Sequence, residues 1–181
     1  MSGDEHSDMP GEKTTSTPVL TVVCGLPGAG KTTVGKMVAD HYETDLLRTD
    51  IVRKDLFTDP DYTDKEERTV YAELLDRARE DLNADTPAVL DGTFHRQQYR
   101  DQAREMALSQ DASVQLMKVE CSESVVRDRI QARTDDASDA DFEIHQTFRE
   151  TFEPVNESCT LIDNGGSLEA TRRQVETLLS E

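Results

Sequence analysis

A lysine and a threonine close the run Gly25-Leu26-Pro27-Gly28-Ala29-Gly30-Lys31-Thr32, which fills every fixed position of the pattern G-x-x-x-x-G-K-[ST]. Residues of these types at this spacing suit the binding of phosphate groups. The glycines let successive backbone N–H groups turn inward around phosphate oxygens, and a helix leaving the loop adds the positive end of its dipole. Lys31 would reach the outer phosphates, and the Thr32 hydroxyl would ligate Mg²⁺. The pattern carries this meaning only between a buried strand and a helix. Both are predicted: Val19–Cys24 is an apolar run, and Val34, Val38 and Tyr42 recur on one face of Lys31–Tyr42. A glycine turn without a ligand is the bland alternative. The context favours a loop, from Gly25 through Thr33 with Pro27, Gly28, Ala29 and Gly30 inside it, that holds a nucleoside triphosphate.

Other residues could work on such a nucleotide. Phosphoryl transfer to an alcohol needs a group that takes the hydroxyl proton and holds the oxygen in line. Asp50, after the strand candidate Asp45–Thr49, fits that need, and Arg53 three residues later could clamp an anionic acceptor or the transferring group. Asp50 equally suits the N-cap of a helix beginning at Ile51, and spacing alone does not choose. Asp91 closes Val89-Leu90-Asp91-Gly92-Thr93-Phe94, where a carboxylate at a strand end can hold Mg²⁺, although Asp-Gly is also a common turn pair. Arg129 and Arg133 share a helical face ahead of the small, acidic stretch Thr134–Ala140. They read either as the inner face of a closing lid or as a solvated, ion-paired surface.

These residues need elements to carry them. Strands are predicted at Val19–Cys24, Asp45–Thr49, Ala88–Asp91, Val114–Glu120 and Cys159–Asp163. Helices are predicted at Lys31–Tyr42, Asp64–Leu82, Arg96–Ser109, Ser122–Arg133, Asp141–Phe152 and Leu168–Leu179, with Thr63 or Asp64 and Ser122 as caps. The alternation implies a parallel sheet covered on both faces, with ligands at the carboxyl ends of the strands. Residues 1–17 are polar and aperiodic and read as a disordered acidic tail ahead of one domain, 18–181, with a lid at about 127–150.

Lys and Arg number 20 against 38 Asp and Glu, a formal net charge of −18. Such a field repels phosphate polymers, which argues against nucleic acid as a partner. The acids are spread along the chain and Lys is scarce relative to Arg, so adaptation to a saline cytoplasm is favoured over a basic partner. Molar salt would shorten the Debye length to about 3 Å and soften the argument against nucleic acid. Cys24, Cys121 and Cys159 are widely spaced and form no C-x-x-C, and no signal peptide is seen, so reduced core thiols in a cytoplasmic protein are expected. No apolar stretch approaches membrane-spanning length, and a monomer or homodimer is expected.

Taken together, Gly25–Thr33, Thr49-Asp50-Ile51-Val52-Arg53-Lys54, Leu90-Asp91-Gly92-Thr93-Phe94, Arg129-Ile130-Gln131-Ala132-Arg133, Ser138-Asp139-Ala140 and Phe152-Glu153-Pro154 resemble the P-loop kinases of the nucleotide-kinase-like group. The chain is most similar to the small kinases grouped under the AAA-domain name, relatives of polynucleotide kinase, gluconate kinase, zeta toxins and chloramphenicol phosphotransferase. The likeness runs from Val19 to Leu179.

It implies an α/β, three-layer P-loop NTPase fold with a five-stranded parallel sheet and a small helical lid. It implies Asp50 as general base, Arg53 as acceptor clamp, Asp91 with Mg²⁺, Arg129 stacking on adenine and Arg133 on the phosphates. Asn164-Gly165-Gly166-Ser167 would pass near the adenine. The Phe-Pro-Arg that follows Asp-Gly in nucleoside monophosphate kinases is absent after Gly92, which argues against that acceptor. Ring-ATPase function is not expected, because the chain lacks the length for a ring ATPase's helical subdomain. The expected function is transfer of the γ-phosphoryl of ATP, with Mg²⁺, to a hydroxyl of a small molecule. The alternatives are a polynucleotide or tRNA kinase and a nucleotide-hydrolysing regulator. His41, His95 and His145 show no metal spacing, and only His95 is expected near the site.

Overall fold

Leu20, Val22 and Cys24 of β1 (Val19–Cys24) pack into one apolar cluster while Val23 packs into another on the opposite face. A strand covered on both sides reads as a continuous apolar run, and that is why this segment shows no alternation. The computed structural model describes residues 17–133 and 138–181, with side chains described except at 133 and 138–141. The expectation of a disordered tail over 1–17 falls outside those residues except at 17, and of the small, acidic stretch Thr134–Ala140 residues 134–137 fall outside while 138–140 belong to a helix.

The sheet is parallel throughout, with β1 at its centre. The order is β2 (Leu46–Arg48), β3 (Ala88–Asp91), β1, β4 (Ser113–Glu120) and β5 (Thr160–Asp163). Helices α1 (Lys31–Tyr42) and α7 (Leu168–Leu179) cover one face through Val34, Val38 and Val175. On the other, α3 (Asp64–Asn83) and α4 (Gln97–Ser109) bring Val70, Leu74, Ala103 and Met106. The short α2 (Thr49–Leu56) follows β2. Helices α5 (Glu123–Arg133) and α6 (Ser138–Thr151) pack on each other through Val126, Ile130 and Phe142. Arg127 leaves the inner face and stacks its guanidinium on Phe142, 4.0 Å from the ring centre.

Thr63 caps α3 by accepting from the Glu66 amide, and Ser122 caps α5 by accepting from Val125. The predicted bounds of β1, α1, β3 and α7 match these, and the others differ by one to three residues, as fraying ends do. α2 differs in kind: it starts at Thr49, with Arg48 at the N-cap position, so Asp50 sits inside the first turn and does not cap. All three cysteines are free thiols, and burial pushes Cys24 up to about 12, which keeps it protonated in the core. Among the described residues no helix is long and apolar enough to cross a membrane.

Candidate active site

Strand β1 delivers the glycine loop at the centre of the sheet's carboxyl edge. Gly25 adopts φ 146°, and a β-carbon there would overlap the Val119 carbonyl of β4. At Gly30, φ is 92° and the Asn164 side-chain amide fills the space a β-carbon would need. The loop therefore passes close against β4 and the β5 exit, with the Gly25 and Ala29 amides spent on the Thr93 and Leu26 carbonyls. Lys31 donates to the Leu26 carbonyl at 3.1 Å. Burial lowers its pKa, with Asp91 and Asp50 pulling the other way. An ammonium desolvated in this way gains most from an anion brought beside it. These residues face a cavity of about 340 Å³ lined by Lys31, Thr32, Thr33, Asp50 and Asp91.

Asp91 is buried at the end of β3, where the register sets it beside Val23 and Arg48. Its Oδ2 accepts from the Thr32 hydroxyl at 2.7 Å and from Arg48 Nε at 3.2 Å. One hydroxyl and one carboxylate, both hard oxygens, suit Mg²⁺, which keeps several of its own waters and takes few protein ligands. No cluster of three or more His, Cys, Asp or Glu side chains fit for a metal exists among the described residues. The donor set therefore fits magnesium and not a closed transition-metal site.

Asp50 is strongly exposed, with Arg48 Nη2 at 3.8 Å. It lines the phosphate-loop cavity and also a neighbouring one of about 510 Å³. Thr49, Thr93 and Ile144 are the other walls the two spaces share. Arg53 faces the second cavity from the same helix. Its Nη1 lies 3.5 Å from Glu66, and Tyr62 covers its guanidinium at 4.9 Å.

The loop after β3 shapes this second cavity. Phe94 holds φ 46°, a left-handed conformation that costs an aromatic residue of order 1–3 kcal/mol. Two neighbours fix it: its N–H donates to the Tyr71 hydroxyl at 2.9 Å, and its carbonyl accepts from Arg100 at 2.8 Å. Buried Arg100 also holds the carbonyls of Glu153 and Pro154, and Glu153 accepts from the Gln97 amide and donates its own N–H to the His95 carbonyl. The Phe152-Glu153-Pro154 motif thus has a physical purpose: it clamps the loop that carries His95. That imidazole is buried, stands edge-on to Phe148 at 4.9 Å, and is 3.7 Å from Glu67. Burial lowers its pKa, with Glu67 the main opposing charge.

Arg129 reaches back from α5 to the glycine loop. It donates to the carbonyls of Asn164 at 2.5 Å and Ala29 at 3.5 Å, and Asn164 itself donates to Ala29 at 2.9 Å. The side chain of Arg133 lies outside the described residues, as do those of Ser138, Asp139 and Ala140. His145 corrects an expectation: it too borders the site, buried with Nδ1 at 2.7 Å from the Pro27 carbonyl. Nothing in its spacing announced this, since α6 folds over the loop only in the tertiary structure. Glu66, Glu67 and Tyr71 were missed because α3 brings them beside Arg53 and His95 only in the tertiary structure. A further cavity of about 450 Å³ lies behind the loop, against Leu26, Cys121 and Phe152, and contains neither Lys31 nor Thr32.

The sequence profile of the AAA domain family matches residues 20–155. None of the curated proteins compared with the chain matches it. Several solved structures share its fold. A gluconokinase from Sinorhizobium meliloti is 24% identical, with 91% of this chain and 97% of that one covered and a TM-score of 0.65. A sugar kinase from Janibacter sp. is 19% identical over 91% and 95%, with a TM-score of 0.68. An APS kinase from Mycobacterium tuberculosis, in complex with AMPPNP and APS, is 14% identical over 91% and 99%, with a TM-score of 0.73.

Proposed function

The chain belongs to the AAA domain family and has the fold of the P-loop kinases, and on that premise we propose that it transfers the γ-phosphoryl group of ATP to a hydroxyl of a small-molecule acceptor. The observation that carries this reading is the meeting of two cavities at Asp50, one lined by Lys31 and Thr32 and the other by Arg53 and His95. A nucleotide-hydrolysing switch has no need of the second space.

In the proposed reaction the acceptor oxygen forms a bond to the γ-phosphorus, and the bond to the β–γ bridging oxygen breaks, leaving ADP. Asp50 takes the hydroxyl proton and returns it to solvent, for which its exposure leaves a path. Lys31 meets the phosphate charge from within the loop. Thr32 and Asp91 would hold Mg²⁺, and the charge neutralisation it would supply belongs to the phosphate end of the site. The α5–α6 pair serves as a lid that excludes water, with Arg129 joining it to the loop, and the proposed role of Arg133 is charge neutralisation on the phosphates. Catalysis on this reading is positioning plus charge neutralisation.

The test is transfer of labelled γ-phosphoryl from ATP with Mg²⁺ by wild type and Asp50→Asn. The variant is expected to bind ATP as wild type does and to lose transfer by about 10²–10⁴-fold, the usual worth of a general base. An unchanged transfer rate would remove Asp50 from catalysis. Acceptor-independent hydrolysis, equal in both proteins, would identify a regulatory ATPase instead.

A further inference from the structure

We infer that the acceptor is a polyol without phosphate or carboxylate groups, either uncharged or carrying an amine, as a sugar or an amino sugar does. The inference rests on the kinase reading and concerns the cavity beside Asp50. Among the described residues, Arg53 and Arg96 are the only cationic side chains that line it. Both are already matched. Glu66 lies 3.5 Å from Arg53, and Arg96 has Asp64 at 2.9 Å and Glu67 at 3.7 Å. Asp50 adds another carboxylate, whose one ion-pair partner, Arg48 at 3.8 Å, is nearer to Asp91, at 3.2 Å. The space is therefore net acidic before any acceptor enters. An anionic acceptor would face this excess of carboxylates, and each guanidinium it could reach already has a carboxylate beside it, a like-charge juxtaposition that disfavours it.

The same walls favour hydroxyl and ammonium protons. Ionised carboxylates only accept hydrogen bonds, and polyols and amines donate them. His95 is 5% exposed and lines the cavity, yet its Nδ1 has no hydrogen-bond partner, and neither has Nη1 of Arg53. Buried polar atoms without partners are uncommon in folded proteins, and two in one cavity mark where a bound molecule supplies them. Apolar side chains line the same cavity beside these polar groups. Phe148 lies inward, while Ile144 and Tyr62 stay 48% and 75% exposed at the rim, placed to cover the C–H face of a ring. A molecule that carries both hydroxyls and an apolar face fits this mixed lining.

The experiment is calorimetric titration of the full chain, saturated with Mg²⁺ and AMPPNP, against matched panels. These are neutral sugars, amino sugars, the corresponding sugar acids and sugar phosphates, and nucleoside monophosphates. Binding confined to the neutral or amino arms, at least about tenfold tighter than to the anionic isostere, supports the inference. The two arms also tell uncharged from amine-bearing acceptors. Tighter binding of an anionic isostere, or no binding in either non-anionic arm, overturns it. Glu67→Gln supplies a second readout, expected to narrow the preference for the non-anionic partner by about tenfold; an unaltered preference counts against the acidic wall as its cause. Labelled ATP then reports on the other reading separately. Binding of a polyol without transfer would leave the acceptor class standing and remove the kinase assignment.

Discussion

The Thr32 hydroxyl donates to the Asp91 carboxylate across 2.7 Å, joining the first turn of α1 to the end of β3 over 59 positions of sequence. Two hard oxygens so close suit magnesium, and these two residues would hold it. Thr32→Val keeps the shape of the side chain and deletes one of them. Its Mg²⁺ requirement is expected to rise by about 10–100-fold, the range usual when an oxygen that holds or orients a metal is lost. Transfer rate measured against Mg²⁺ concentration reads this, and an unshifted curve would place the metal elsewhere.

Lys31→Ala is expected to abolish nucleotide-dependent transfer and leave the fold intact. The ammonium is desolvated, so its removal takes away a cost along with one hydrogen bond to Leu26. Thermal unfolding should therefore give a Tm no lower than wild type, while ATP no longer raises it. Retained transfer in this variant would end the kinase assignment.

Tyr71→Phe removes the acceptor for the Phe94 N–H and leaves the ring stacked on Tyr99. The cost is expected at about 1–3 kcal/mol, that of an unsatisfied buried amide, read by urea unfolding. Because Phe94 is held in a left-handed conformation, the His95 loop should also loosen. The variant is expected to raise KM for the acceptor more than for ATP, and equal changes would show that the loop does not shape the acceptor cavity.

His95 predicts a pH dependence of stability. Its folded pKa is lowered below the ordinary 6.5, chiefly by burial. As pH falls through 6.5 the unfolded chain takes up the proton first, so stability drops from there down to the folded pKa and no further. Urea unfolding between pH 8 and pH 5 should show this fall in wild type and a shallower one in His95→Gln. Identical profiles would mean that His95 is not the group responsible.

Much of the site was written in short stretches of sequence. Gly25 to Thr33, Asp50, Arg53 and Asp91 are legible because each depends on its own segment: a glycine loop needs its spacing, and a strand-end carboxylate needs only the strand before it. Local chemistry also set the caps at Thr63 and Ser122. The apolar period of β1 and α1 fixed those elements to the residue, since a strand buried on both faces and a helix buried on one leave unmistakable patterns.

What the tertiary structure alone decided depends on residues far apart in sequence. Whether Asp50 capped a helix or faced a cavity turned on where α2 began, and Thr49 entered the helix because Arg48 ended its strand beside Asp91. Arg53 looks like a free anion clamp in the sequence, but α3 packs Glu66 against it. His145 meets the glycine loop only because α6 folds back over it, and His95 is aimed by Tyr71, Arg100 and Glu153 from three other segments. The phosphate-binding half of the site is local, because a loop and a helix end suffice to make it. The neighbouring cavity around Arg53 and His95 is assembled from side chains that only packing brings together, and its charge balance exists nowhere in the sequence order.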